Sequence, residues 1–193
     1  MLLQSQFSSR VKIEKKSVRA TIPVKAPVKA KVKKKTVSYT INNKFGTHTH
    51  KVEDSYRIFS LPKGSASFYE HGEITACGNL FDKYQPVAAH PSIKIPCVAR
   101  IKRVDTGKSM LVIINDRGPF YPGRICDLSL KCAQELGFVK EGVTQVSIKV
   151  LPIQSKLLAS HWRKFRKKRL PDELFRKIDN PIKLRSYLER VVV

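Results

Sequence analysis

Asn115-Asp116-Arg117-Gly118-Pro119-Phe120 is the stretch of this chain best suited to chemistry. Asp116 ends an apolar run, residues 110–114, and a Gly-Pro pair turns the chain away just after it. That order presents one carboxyl group at the end of a strand, in a cleft, where it can give and take a proton as a general acid and base. Acid duty near neutral pH requires the carboxyl to hold its proton, and the apolar strand and Phe120 could supply the desolvation that favours the neutral form. A guanidinium turned inward would oppose it, so Arg117 is expected to point toward another backbone segment. The bland alternative for Asp116 is a carboxylate accepting backbone N–H groups in its own Gly118-Pro119 turn. Asp82 and Asp127 are further acidic candidates, of which Asp127 reads as a helix N-cap and Asp82 as support for a turn.

The elements around Asp116 follow from hydrophobic period and turn chemistry. Residues 65–69 and 87–89 read as short strands. Residues 97–104 alternate apolar with basic, the period of a half-exposed strand. Residues 105–108, Asp-Thr-Gly-Lys, form a turn, and the continuous apolar run after it reads as a strand covered on both faces, so the two make a hairpin. A short helix is predicted from Asp127 to Leu136, closed by Gly137. Residues 143–151 alternate cleanly as a last strand, ended by Pro152. Several short strands and one helix in about 90 residues predict a small barrel or sandwich.

The flanks differ. The chain of 193 residues carries a formal net charge of +23. Residues 1–54 hold 13 basic and 3 acidic side chains, residues 155–193 hold 12 and 4, and the stretch between holds 13 and 8. A nearly balanced core therefore lies between two polycationic ends. Residues 10–37 alternate small apolar residues with Lys and Pro, the composition of an extended linker. Residues 44–51 contain His48 and His50, which read as a solvated loop rather than a metal site. In the tail, Leu158, Trp162 and Phe165 can share one helical face, with Arg163, Lys164 and residues 166–169 around it. That face reads as docked on the barrel in preference to a membrane surface. Pro171 and Pro181 bound one or two further short helices. The four cysteines, Cys77, Cys97, Cys126 and Cys132, all lie in the middle region. They fit disulfides, with three pairings open, or buried thiols. No C-x-x-C pair, phosphate loop or metal cluster is visible, so no cofactor is expected.

An ordered set of motifs goes further. It runs through Gly64-x-Ala66-Ser67-x-Tyr69, Thr75-Ala76-Cys77-Gly78, Phe81-Asp82 and Ala88-Ala89-His90. It continues with Thr106-Gly107-Lys108-Ser109, the Asn115–Phe120 block, Gly123-Arg124-Ile125, Asp127-Leu128-Ser129 and Leu136-Gly137. Over residues 64–151 this set resembles the rare lipoprotein A (RlpA) family, which includes septal-ring-type endolytic transglycosylases of bacterial peptidoglycan. More distantly it is similar to expansins and barwin-like proteins.

The resemblance implies a six-stranded double-psi β-barrel with one short helix, over residues 63–152. A basic, disordered, low-complexity arm is expected over 1–62 and a basic helical tail over 153–193. That tail is too short and too basic to resemble the SPOR domain of many members. Ile95-Pro96-Cys97 stands where the family usually has Gly and Thr. The resemblance also implies a place in the bacterial cell envelope, periplasmic or associated with the outer membrane. The first residues show neither an apolar signal region nor a cysteine to carry lipid.

By the same resemblance, Asp116 and His90 are the catalytic candidates. His90 would lie near Asp116 and hydrogen-bond it or the sugar; otherwise it is a satisfied, partly buried histidine before Pro91. Tyr69, Arg117, Phe120, Asp82 and Asp127 are the substrate-binding candidates, with Tyr69 and Phe120 as a stacking floor for sugar rings and core packing as the alternative for Phe120. The implied reaction cleaves the N-acetylmuramic acid to N-acetylglucosamine bond without water, leaving a 1,6-anhydro ring, with peptide-free strands preferred. One carboxyl group suffices for that route, whereas a hydrolytic glycosidase typically uses two. The competing expectation is a non-catalytic module that binds or loosens the wall, since a fold alone does not fix a function. The basic ends could meet an anionic membrane or wall polymer, and specific nucleic-acid binding is disfavoured because the charge lies outside the core.

Overall fold

The computed structural model describes residues 36–43, 46–53 and 61–191, so most of the expected N-terminal arm lies outside the described residues. Strands β1 (Thr36–Asn43) and β2 (Gly46–Glu53) form an antiparallel hairpin, in register from Thr36↔Glu53 to Asn43↔Gly46. His48 and His50 therefore sit in β2 rather than in a loop. The β-branched and aromatic residues of β1 (Val37, Tyr39, Thr40, Ile41) explain why these two segments pair.

Six further strands close into a barrel. They are β3 (Gly64–Tyr69), β4 (Val87–Ala89), β5 (Cys97–Arg103), β6 (Ser109–Asp116), β7 (Arg124–Ser129) and β8 (Val143–Val150), in the closed order β3-β7-β4-β6-β5-β8. β3 runs parallel to β7 and β4 parallel to β6, while the other neighbours are antiparallel. This is the closed six-stranded barrel that the resemblance implied, consistent with a double-psi β-barrel. β7 is the one barrel strand that local pattern did not announce. Its six residues look like turn and cap, and its strand character comes from pairing on both sides, with β3 and β4.

Helix α1 (Leu130–Leu136) starts later than expected. Its N-cap is Ser129, whose hydroxyl accepts from Cys132 N–H, so Asp127 is not the cap. The pairing of β7 with β3 continues to Ser129 and holds Asp127 in the extended state. Gly137 closes α1 in the left-handed region, at φ 75°.

The run at 110–114 is indeed covered on both faces. Val112 and Ile114 point into the barrel interior with Ala66, Ile101, Leu128, Phe138 and Ile148. Ile113 points outward, joining Val87 and Val98 beneath the C-terminal residues Leu158, Trp162, Phe165, Leu170, Leu174, Ile178, Leu184 and Leu188. That outer layer is built by α2 (Pro152–His161), a 3₁₀ turn (Trp162–Phe165), α3 (Asp172–Lys177) and α4 (Pro181–Arg190). Docking through Leu158, Trp162 and Phe165 matches the sequence reading. The helix does not continue through the basic stretch, however, because Arg166 is already extended. Each large apolar side chain buried this way contributes roughly 1.5–3 kcal/mol. Ser155 adds polar anchorage by accepting from Val98 N–H at 2.9 Å.

The four cysteines are free thiols, which corrects the disulfide expectation. Cys97, Cys126 and Cys132 fill the barrel interior, and Cys77 packs against the outer layer. They serve as small apolar side chains there.

Candidate functional site

The barrel topology brings the candidates to one end. Ala89 pairs with Asp116 on one side and with Asp127 on the other, and Asp127 pairs with Ser67. Asp116, Ala89, Asp127 and Ser67 thus form one row across four strands. Adjacent strands lie about 4.8 Å apart, so the Asp116 and Asp127 backbones are on the order of 10 Å apart. The opposite end holds the 104–108 turn, the C-terminus of α1 and the buried Arg103, which donates to the Leu136 and Gly137 carbonyls.

Asp116 is half-buried at the end of β6. Its Oδ1 accepts two backbone N–H groups, Ala76 and Arg117, both at 2.8 Å. One oxygen is therefore fixed by amides while the other, Oδ2, accepts no hydrogen bond from the described residues. Part of the structural alternative holds here, since one amide comes from the residue after Asp116. The other comes from a segment 40 residues away. Gly118 turns the chain at φ 125°, a region that other residues rarely enter.

The Ala76 amide is held by a buried polar network. Asn79 Oδ1 accepts from Thr75 Oγ1 at 2.6 Å and from Asn115 Nδ2 at 3.1 Å. Cys77 N–H donates to Asn115 O at 3.0 Å, and Trp162 Nε1 donates to Cys77 O at 2.9 Å. The ribbon 76–80 thus lies between the end of β6 and the C-terminal layer. Thr75, Asn79 and Asn115 are site residues that the sequence reading missed as such. Their local signal was a place in or beside the quoted motifs: Thr75 opens Thr75-Ala76-Cys77-Gly78, Asn79 follows it, and Asn115 opens the block that holds Asp116.

Arg117 points away from Asp116, donating from Nη1 to the carbonyls of His90 (3.1 Å) and Ile93 (2.6 Å). His90 is 4% exposed, and its Nδ1 accepts from Ser92 and Ile93 N–H at 3.1 and 3.0 Å. Nδ1 is therefore unprotonated and Nε2 carries the hydrogen. Burial, and then the Arg117 guanidinium, lower its pKa from 6.5 to about 4, so the ring is neutral across the physiological range. His90 N–H also donates to Asp116 O at 3.2 Å, which ties the two candidates through backbone.

Tyr69 stacks on Phe81, with ring centroids 4.6 Å apart. Its buried hydroxyl has no hydrogen-bond partner. Burial and, next, the negative charge of Asp116 push its pKa upward, so it remains a neutral donor beside that carboxylate. Because Phe81 covers one ring face, a sugar-stacking floor cannot use both faces of Tyr69. Phe120 is 84% exposed and Tyr121 69% exposed, both on the loop after Asp116, so Phe120 is not a core residue. Arg124 lies over the Tyr121 ring, 5.2 Å from its centroid.

The other two carboxylates are occupied. Asp127 Oδ1 accepts from Ser67 Oγ at 2.6 Å, and its Oδ2 faces Arg124 Nη2 at 3.6 Å. Asp82 accepts from Tyr84 N–H with one oxygen and pairs with Arg169 through the other. Asp82 thus supports its turn, as expected, and in addition anchors the C-terminal layer, which leaves neither of its oxygens open. Among the described residues no cluster of His, Cys, Asp and Glu could hold a metal ion.

Comparison with known proteins places the barrel among similar sequences. A family described as lytic transglycolase matches residues 61–148, which contain every candidate above. The endolytic peptidoglycan transglycosylase RlpA of Vibrio cholerae is 42% identical over 107 residues, covering 51% of this chain and 41% of that protein. The protein of the same name from Neisseria meningitidis is 41% identical over 128 residues, covering 64% of this chain and 52% of that one. That from Pseudomonas aeruginosa is 41% identical over 95 residues, covering 47% and 28%. The chain spans about half the length, or less, of these relatives.

Proposed function

We propose a peptidoglycan lytic transglycosylase, from the premise that residues 61–148 of this chain match the family described as lytic transglycolase. The observation that carries the proposal is Asp116, fixed by two amides on Oδ1 and with no hydrogen bond to Oδ2 from the described residues. One oriented carboxyl group suits a reaction that needs a single acid and base.

In the proposed reaction the Asp116 carboxyl protonates the glycosidic oxygen, and the bond from that oxygen to the muramic acid anomeric carbon breaks. The 6-hydroxyl of the same sugar attacks the anomeric carbon and closes the 1,6-anhydro ring. Its proton passes to the carboxylate, which restores the acid. No water enters the balance. Asp127 is too heavily engaged by Ser67 and Arg124 to activate a water as the second carboxylate of a hydrolase.

His90 and Arg117 act by position. The guanidinium bridges the 90–93 carbonyls and the imidazole caps two amides, so the loop beside Asp116 is rigid. The Tyr69 hydroxyl is a donor still to be satisfied, and an oxygen of the substrate or of Asp116 would do so. Phe120 and Tyr121 offer exposed rings for the apolar faces of sugars. Peptide-free strands as the preferred substrate, and an envelope location, belong to the same proposal.

The test is to incubate the full chain with purified glycan strands and analyse products by mass spectrometry. Anhydro-ended fragments from the parent, absent with Asp116→Ala, are expected. No product from the parent, or equal product from both, would defeat the proposal. Sedimentation with sacculi that persists without cleavage would leave a wall-binding module in its place.

A further inference from the structure

The C-terminal layer ends its 3₁₀ turn at Phe165, and the chain is buried again at Leu170. Between them Arg166, Lys167, Lys168 and Arg169 are all exposed. This cationic turn is held from both sides. Lys167 N–H donates to Gly78 O at 2.6 Å, and Leu80 N–H donates to Lys168 O at 2.9 Å. Arg169 pairs with Asp82 and, at 3.0 Å, with Asp172. Among the described residues Lys167 is the one non-glycine in the left-handed region, at φ 56°, a conformation that persists only where its surroundings enforce it.

The ribbon that holds this turn is the one that orients Asp116. Ala76 gives its N–H to Asp116 Oδ1, and Gly78, two residues on, takes the N–H of Lys167. Both lie in one tight turn, in which Gly78 N–H donates to Thr75 O at 2.8 Å. The Arg166 side chain lies over the same ribbon, for a Cβ at Gly78 would stand 3.5 Å from Arg166 Nε. Gly78 itself, at φ 81°, leaves that space open. Arg163, Arg166, Lys167 and Lys168 have no carboxylate partner among the described residues, whereas the Arg169 charge is met by Asp82 and Asp172. The backbone of this turn, with the Arg166 side chain over Gly78, thus lies against the same segment that gives Asp116 its Ala76 amide.

We propose that Arg166, Lys167 and Lys168 form an anion subsite. It would bind the lactyl carboxylates of a glycan strand whose muramic acids carry no peptide. The inference rests on the peptidoglycan reading above and adds a charge requirement to it. A peptide-free muramic acid carries a free carboxylate, which guanidinium and ammonium groups recognise through charge-assisted hydrogen bonds. A strand seated at Asp116 and continuing over the 76–80 ribbon meets these groups next.

The experiment measures binding rather than turnover, in an Asp116→Asn background of the full chain. Ligands are peptide-free glycan strands and the same strands with their carboxyl groups converted to neutral methylamides. The variant is Arg166→Gln/Lys167→Asn/Lys168→Gln, in which Asn suits the left-handed position. Lys168→Gln alone, whose structural contact is made by backbone, guards against a general loss of fold. The triple variant is expected to bind native strands about tenfold more weakly, a few-fold for each exposed cation. The single variant should show a smaller loss, and amidated strands should bind all proteins equally weakly.

Equal binding of native strands by parent and triple variant would overturn the subsite, as would the same loss on amidated strands. So would loss of binding to phosphatidylglycerol vesicles with glycan binding intact. Absence of anhydro products from the parent chain would defeat the transglycosylase reading alone, since the binding comparison still decides the subsite.

Discussion

Asp116 accepts both of its hydrogen bonds on Oδ1, so a substitution that keeps the shape and removes the acid isolates its chemistry. Asp116→Asn is expected to lower glycan cleavage by about 10²–10⁴-fold, the usual worth of a general acid and base, with a thermal midpoint close to the parent's. His90 carries a separate prediction. Its pKa is lowered from 6.5 to about 4, so between those values the unfolded chain binds a proton that the folded chain refuses. Stability from this group is complete above about pH 6.5 and is lost as pH falls toward 4. His90→Asn keeps an acceptor for the Ser92 and Ile93 amides and removes the titration. Thermal midpoints across pH 4–7 should therefore fall more steeply in the parent than in His90→Asn. Parallel curves would contradict the assignment. The position of Asp116 was readable from the sequence because an apolar run, a single acid and a Gly-Pro turn are all local signals. The occupation of Asp82 was not, because its partner Arg169 lies 87 residues away.

The ribbon 76–80 links the barrel end to the C-terminal layer, and its two edges can be loosened separately. Asn79→Ala removes the acceptor shared by Thr75 and Asn115 and leaves buried polar groups without partners. It should cost about 1–3 kcal/mol in chemical denaturation. Turnover should fall more than apparent substrate affinity, since the Ala76 amide orients the acid rather than binds sugar. Trp162→Ala empties a buried site and abandons the Cys77 carbonyl. About 3–5 kcal/mol of stability should be lost, together with activity. Hydrophobic period identified five of the six barrel strands, since residues 97–104 and 143–151 alternate and 110–114 is uniformly apolar. β7 escaped because its evidence is its partners: Cys126 opposes Ala66, and Leu128 opposes Ala88 and Phe68. For the same reason Asp127 was read as a cap although Ser129 takes that place.

Residues 61–191 form a barrel with an interior core and a second apolar layer on its outside, supplied by the C-terminal residues. The continuous apolar run of β6 announced a cover, and the amphipathic pattern of the tail announced something that covers. Their match at Ile113, Trp162 and Phe165 is visible only in three dimensions. A chain ending at Leu151 should expose Val87, Val98 and Ile113 and bind a hydrophobic dye that the full chain excludes. The full chain should also be indifferent to reductant, because its four cysteines are thiols and burial raises Cys77, Cys97 and Cys132 to about 12. A thermal midpoint that drops on adding reductant would contradict this. The central claim is that one carboxyl group at the barrel end cleaves a glycan without water. Digestion of purified strands in water enriched in heavy oxygen, read by mass spectrometry, tests it most directly. The account predicts anhydro-ended fragments that carry no heavy oxygen and vanish with Asp116→Asn. Reducing ends labelled with heavy oxygen, or fragments formed equally by the variant, would contradict it.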